Sequence, residues 1–504
     1  MKINALLSIT AIIFSGIIPP LAAQEYDKIL KELDTYTNNA VKQWQVPGLS
    51  ITVVKDGQSV FTKSYGVRTL GKPEKVNNQT MFLCASTTKA FTATAIAMLV
   101  DDGKLDWDDR VIKHMPEFQL YDPYVTRELT VRDLLTHRAG LGNADFLWGL
   151  LDIPSEEILY RVRYLKPSYS LRSGYTYQNI MFLAAGILIE KVSGKSWADF
   201  LKERIYQPLG MTSTVAYKKQ TYGMTNIVSP HYIIDDKIEV IEQTNADLIG
   251  PAGSMWSNVD DMSKWLKFLL DSAKINDNRL LETGTYSEMF KPQTIIPRNQ
   301  FYPTASLTKP KWTTYGLGWF QHDYRGKAVD FHTGSLAGMV AIAGLIREEN
   351  LGVYIMGNLD HAEVRHALMY KVFDLFLGEP SRDWSNEFLE LYAGFKKETE
   401  AKQKEFEDNR VLNTNPSFKL DNYTGSYSDP LYGEIEITLI NNKLRLSFTE
   451  ENYLELEHWH FDTFRGQWPK RWYGKTNATF SLDGDGKIEK VNIMGLIYSK
   501  IKSE

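Results

Sequence analysis

Ser86-Thr87-Thr88-Lys89-Ala90-Phe91-Thr92-Ala93-Thr94-Ala95-Ile96-Ala97-Met98-Leu99-Val100 is the stretch on which the reading of the fold turns. It reads as a helix that is apolar nearly all round, which implies burial on most sides. Its single charge, Lys89, is costly in such a place unless it has partners. Residues at i and i+3 share a helix face, so Ser86 and Lys89 stand one turn apart, near the positive end of the helix.

Working outward, Tyr26 to Trp44 has helical spacing and Pro47-Gly48 ends it. Leu49–Val54, Asp56-Gly57 and Ser59–Tyr65 read as a β-hairpin. From 103 to about 290 helices dominate. Thr130-Val131-Arg132-Asp133 looks like a capping box, and Asn179 is placed to cap a helix Ile180–Val192 that Gly194 ends. β character returns at Gly316–Gln321, Val340–Ile346 and Gly352–Met356, and His361 to Leu377 reads as a closing helix. Strands early and late, with helices between, predict one sheet assembled from both ends and a helical insertion.

Asn386 to Arg410 is highly charged and reads as a solvated helical spacer. Beyond about 418 come short strands, Glu434–Ile440, Lys443–Phe448, Tyr453–Trp459 and Ile488–Met494, which predict a small all-β barrel. At the other end, Lys2, the apolar run Ala5 to Ile18 and small residues up to Ala23 read as a secretory signal peptide. The expected organisation is a signal peptide at 1–23, a main domain at 24–380, a charged helical linker at 381–417 and a β domain at 418–504. The expected location is secreted or periplasmic, with no stable membrane span once the signal is removed.

Composition narrows the chemistry. The 504 residues are 43% apolar and 24% charged, with a net charge of −5, so no electrostatic footprint for nucleic acid is present. The single cysteine, Cys84, rules out an intrachain disulfide and any multi-thiolate metal site, and it reads as a small buried residue. The elbow G-x-S-x-G and the zinc motif H-E-x-x-H are both absent. His361 and His366 are five apart and do not share a helix face, so that segment reads as helix surface. No metal or organic cofactor is expected.

S-x-x-K occurs three times, at Ser86, Ser306 and Ser499, and only the first opens a long buried helix. Tyr177-Gln178-Asn179 follows 91 residues after Ser86, and His332-Thr333-Gly334 a further 155 on. S-x-x-K, Y-x-N and H-T-G in this order resemble the class C β-lactamase and penicillin-binding-protein family of serine hydrolases. Leu134–Leu141, Pro251–Ser257 and Tyr315–Trp319 resemble it too, and the likeness spans about residues 30–380. It implies an α/β fold, with a mostly antiparallel sheet flanked by helices and an all-helical insertion. Leu420–Tyr427 is similar to the lipocalin-like barrels that follow such hydrolases.

The resemblance implies that Ser86 is the acylated nucleophile, activated by Lys89 and Tyr177. A tyrosine of pKa near 10 needs help at neutral pH; an ammonium about 4 Å away contributes about 4 kcal/mol at an effective dielectric constant near 20. Lys89 as ammonium with Tyr177 as phenolate, and neutral Lys89 as the base, are both open on sequence. Asn179 would orient Lys89 and the substrate amide, and the backbone N–H groups of Ser86 and Ser335 would form the oxyanion hole. His332, Thr333, Gly334 and Ser335 would line the substrate site. His332 stands where lysine helps bind a substrate carboxylate, and an unperturbed imidazole would be only about one quarter protonated at pH 7. The expected activity is therefore hydrolysis of amides or esters of small peptide-like substrates, D-amino-acid-containing ones included. The alternatives are a β-lactamase or D-Ala-D-Ala carboxypeptidase, or a penicillin-binding sensor or scaffold without turnover. Oligomerisation is left open.

Overall fold

The computed structural model describes residues 20–275, 278–378 and 382–502. Most of the signal-peptide reading, residues 1–19, lies outside the described residues. Six helices frame the site: α1 (Pro20–Gln43), α2 (Thr88–Asp101), α3 (Asn179–Ser193), α4 (Val259–Leu270), α5 (Val364–Phe376) and α6 (Trp384–Asp408). The main sheet contains β1 (Gly48–Lys55), β2 (Gln58–Gly66), β3 (Thr294–Ile295), β4 (Thr313–Tyr315), β5 (Phe320–Tyr324), β6 (Lys327–Leu336), β7 (Met339–Ile346) and β8 (Leu351–Gly357).

Its spatial order is β2-β1-β8-β7-β6-β5-β4-β3, antiparallel throughout. The early hairpin joins the late strands directly, with Leu49 opposite Gly357. The sheet thus closes from both ends of the domain, as the sequence predicts. Of the strand expected at Gly316–Gln321 only Phe320 and Gln321 are strand, in β5; residues 316–319 form the turn from β4, in which Gly318 takes φ 83°.

The side-chain period of two sends alternate residues of β7 to opposite cores. Val340 and Ile342 face α1, α5 and the start of α6. Ala341 and Ala343 face the side of α2, α3 and α4. Alanines there let the helical layer approach closely. Twelve consecutive residues of α2, Thr88 to Leu99, are buried, which accounts for its apolar circumference.

The C-terminal strands β9 (Gly425–Asp429), β10 (Gly433–Ile440), β11 (Lys443–Ser447), β12 (Tyr453–His460), β13 (Thr463–Gln467), β14 (Lys475–Leu482), β15 (Ile488–Ile493) and β16 (Leu496–Lys500) form a closed eight-stranded barrel. Closure removes the sheet edges that would otherwise invite pairing. Buried Tyr423, Tyr427, Phe464, Phe480 and Tyr498 belong to its core. Trp468 is buried, Phe461 is exposed, and Trp472 with Tyr473 faces the main domain. No described helix is long and apolar enough to cross a membrane.

Candidate active site

Ser86 sits in a 3-10 turn, Ala85–Thr87, that runs into α2. Ala85 holds φ at 46°, the left-handed region that non-glycine residues rarely enter. β6 crosses immediately over this turn. A Cβ on Gly334 would lie 2.3 Å from the Cys84 carbonyl oxygen and 3.0 Å from the Ser86 nitrogen, so only glycine lets strand and turn approach this closely.

Lys89 is fully buried, and its Nζ has three polar neighbours: Ser86 Oγ at 3.0 Å, Asn179 Oδ1 at 2.7 Å and the Ala252 carbonyl at 2.8 Å. Asn179 does not cap α3, for which Gln178 is the N-cap residue. Its amide is spent on the cleft: Nδ2 donates to both Asp145 oxygens at 3.0 and 3.1 Å. A carboxylate only accepts, so the Asn179 oxygen must face Lys89. Burial pulls Lys89 down to about 7, against the opposing pull of Asp145.

Tyr177 hydrogen-bonds Ser86, and its ring centroid lies 4.8 Å from Lys89 Nζ. Burial pushes its phenol well above the ordinary value, with Tyr302 and Asp145 acting in the same direction and Ser86 opposing. Tyr177 packs on the ring of His137 at 4.3 Å and stacks on Phe320 at 6.1 Å. His137 Nδ1 accepts the Gln178 N–H at 3.0 Å. These contacts clamp the phenol over the serine.

Ser86, Lys89, Tyr177, Asn179, Gly334 and Ser335 therefore converge from three distant segments. Thr333 lines the same cleft of about 500 Å³, and its Oγ1 lies 2.5 Å from the Tyr302 hydroxyl. His332 lies elsewhere. It is wholly buried behind the strand, its Nδ1 donates to the Thr333 carbonyl at 2.7 Å, and its Nε2 accepts from Tyr315 at 3.0 Å. Burial and Lys89 push it down to about 3, so the quarter-protonated imidazole expected from sequence is replaced by a neutral one.

Four residues escaped the sequence reading. Asp145 and Tyr302 line the cleft, His137 supports Tyr177, and Arg365 lies beneath Ser335. Arg365 donates to Ser335 Oγ at 2.8 Å and to the Gly334 carbonyl, and pairs with Glu363 at 3.0 Å. Burial would raise the Glu363 carboxyl, yet Arg365 and His366 hold it down to about 2. The 361–366 segment, expected as helix surface, places Glu363, Arg365 and His366 in the interior. His137 had a signal, because it sits in the 134–141 segment singled out above. Cys84 is buried, which pushes its thiol up to about 12 and makes it a poor nucleophile.

Comparison with known proteins fits this geometry. Residues 33–374 match the family model described as Beta-lactamase, and residues 409–501 match a domain of unknown function, DUF3471. Unguisins hydrolase ungD' of Aspergillus campestris is 28% identical over 432 residues, covering 82% of this chain and 77% of that protein. Protein flp of Staphylococcus aureus is 23% identical, covering 66% of this chain and 63% of its own. Among solved structures, the octameric penicillin-binding protein homologue from Pyrococcus abyssi aligns with a TM-score of 0.63 at 22% identity, covering 94% of this chain and 99% of that one. SurE aligns at 0.58 with 17% identity, covering 95% of this chain and all of its own.

Proposed function

The chain belongs to the Beta-lactamase family, and from that premise we propose an exported serine hydrolase that forms an acyl-enzyme on Ser86 and cleaves amide or ester bonds of small peptide-like substrates. One observation carries the reading: the wholly buried Lys89 amine stands 3.0 Å from Ser86 Oγ, with acceptors at its other two contacts. Asn179 Oδ1 and the Ala252 carbonyl can only accept, so they take the two N–H bonds. The lone pair is left for the hydrogen on Ser86 Oγ. A neutral amine so placed is within reach to act as general base to the serine.

Of the two assignments open on sequence, neutral Lys89 is the one this environment favours, because a phenolate at Tyr177 would be desolvated. Ser86 Oγ attacks the substrate carbonyl and its proton passes to Lys89 Nζ. The oxyanion forms at the backbone N–H groups of Ser86 and Ser335. The leaving amine or alcohol takes the proton from Lys89 through the Tyr177 hydroxyl. Water then attacks the ester and gives a proton to the same pair; the C–Oγ bond breaks and that proton passes to Oγ, restoring the Ser86 hydroxyl and the neutral amine. Asn179 orients Lys89, and Thr333 lines the side of the cleft that would receive the substrate amide.

Relatives carrying the name hydrolase support the reaction class. A neutral, buried His332 supplies no cation for a substrate carboxylate, which favours a peptidase or esterase over a β-lactamase. SurE has been solved with D-Leu, and D-amino-acid peptides are the first substrates to try. Intact mass spectrometry with a fluorophosphonate tests the proposal: one adduct on wild type and none on Ser86→Ala supports it, and equal labelling of both overturns it. An adduct from a p-nitrophenyl ester that never clears would replace the hydrolase with a sensor.

A further inference from the structure

We propose that the groove between the main domain and the barrel is a second substrate subsite, taking the cationic far end of an extended peptide. This rests on the hydrolase reading and names the substrate class for it. The groove measures about 530 Å³, as large as the catalytic cleft. The barrel is pinned around it: Asn452 Nδ2 donates to the Leu150 carbonyl at 2.9 Å, and Arg471 pairs with Asp235 at 2.6 Å and Glu239 at 3.2 Å.

Cleft and groove share a wall. Trp148 lines both, and its Nε1 donates to Asp145 Oδ1 at 2.9 Å. A chain of hydrogen bonds therefore runs from Ser86 through Lys89, Asn179 and Asp145 to Trp148. A substrate long enough to pass Trp148 would meet the groove on its far side.

The lining states what would bind. Gln243 Nε2 and Trp472 Nε1 are buried donors with no acceptor among the described residues. Buried donors are ordinarily satisfied, so this wall of the groove is left short of acceptors. Trp472 and Tyr473 add aromatic faces. Four carboxylates, Asp152, Glu242, Glu450 and Glu451, face two ammonium groups, Lys218 and Lys470. Lys218 is already engaged by the Gln243 carbonyl at 2.7 Å. The excess of negative charge selects an ammonium or guanidinium on the incoming peptide.

The test uses D-alanine peptides extended on the acyl side or on the leaving-group side, each ending in D-Lys or D-Glu. In at least one series the wild type should favour the lysine peptide by about fivefold or more in kcat/KM. Glu450 and Glu451 are exposed, so Glu450→Lys with Glu451→Lys should keep the fold and abolish or reverse that preference. Turnover of p-nitrophenyl acetate, too short to reach the groove, should stay unchanged. A lysine-to-glutamate ratio near one in both series, or a preference the double variant leaves intact, would overturn the proposal. If no Ser86-dependent turnover exists, fluorescence anisotropy with labelled lysine peptides decides separately: binding weakened by the double variant keeps the subsite, and no binding removes it.

Discussion

Asp145 reaches Lys89 through Asn179, whose amide gives its N–H groups to the carboxylate and its oxygen, 2.7 Å away, to the amine. The protonation state of Lys89 is thereby tied to a residue one step removed from it.

The first prediction concerns pH. Burial lowers Lys89 to about 7; on the proposed mechanism its neutral form is the base, so acylation should fall as pH drops through about 7. Stopped-flow acylation with a p-nitrophenyl ester between pH 5.5 and 9 should give one inflection there. Asp145 pulls Lys89 upward, so Asp145→Asn should move the inflection to lower pH.

The same residue links pH to stability. A lysine whose folded value lies below its unfolded one binds fewer protons when folded, so unfolding becomes harder as pH rises from about 7 towards 10.5. The charged form is the destabilising one and acts below that window. Denaturant titrations of wild type and Lys89→Met should differ in slope against pH, the wild type gaining relative stability between pH 7 and 9.

Gly334→Ala should cost about 1–3 kcal/mol and most of the acylation rate, because its methyl group would meet the Cys84 carbonyl at 2.3 Å. Thermal unfolding and fluorophosphonate labelling rates check the two effects independently.

Arg365→Ala would leave the Glu363 carboxylate buried without its guanidinium, a loss of about 3–5 kcal/mol. Adding Glu363→Gln should recover part of it. A double-mutant cycle by urea unfolding measures the coupling, and simple additivity would contradict the pairing.

Much of the fold was legible because its signals are local and periodic. A helix with no polar face at 88–99 demanded a central position, and β-branched runs near 49 and 352 demanded a shared sheet. The convergence of Ser86, Lys89, Tyr177, Asn179 and Thr333 on one cleft was legible because S-x-x-K, Y-x-N and H-T-G keep their order. Side-chain destinations were less so. Asn179 reads as a cap because Asn favours helix starts, but the acceptor-only Asp145 claims its amide instead. His332 reads as partly charged because sequence carries no measure of burial. Glu363 and Arg365 read as surface because each is charged, and their mutual pairing inside depends on β6 passing beside α5.

The antiparallel pairing of Leu49 with Gly357 sets a schedule for synthesis. The hairpin β1-β2 emerges early but has no neighbour on its β1 side until β8 is made, and such distant closure is slow. The Ala85–Thr87 turn likewise meets Gly334 only after β6 has been translated. A ribosome-bound chain thus stays without an assembled cleft until nearly the whole main domain has been made.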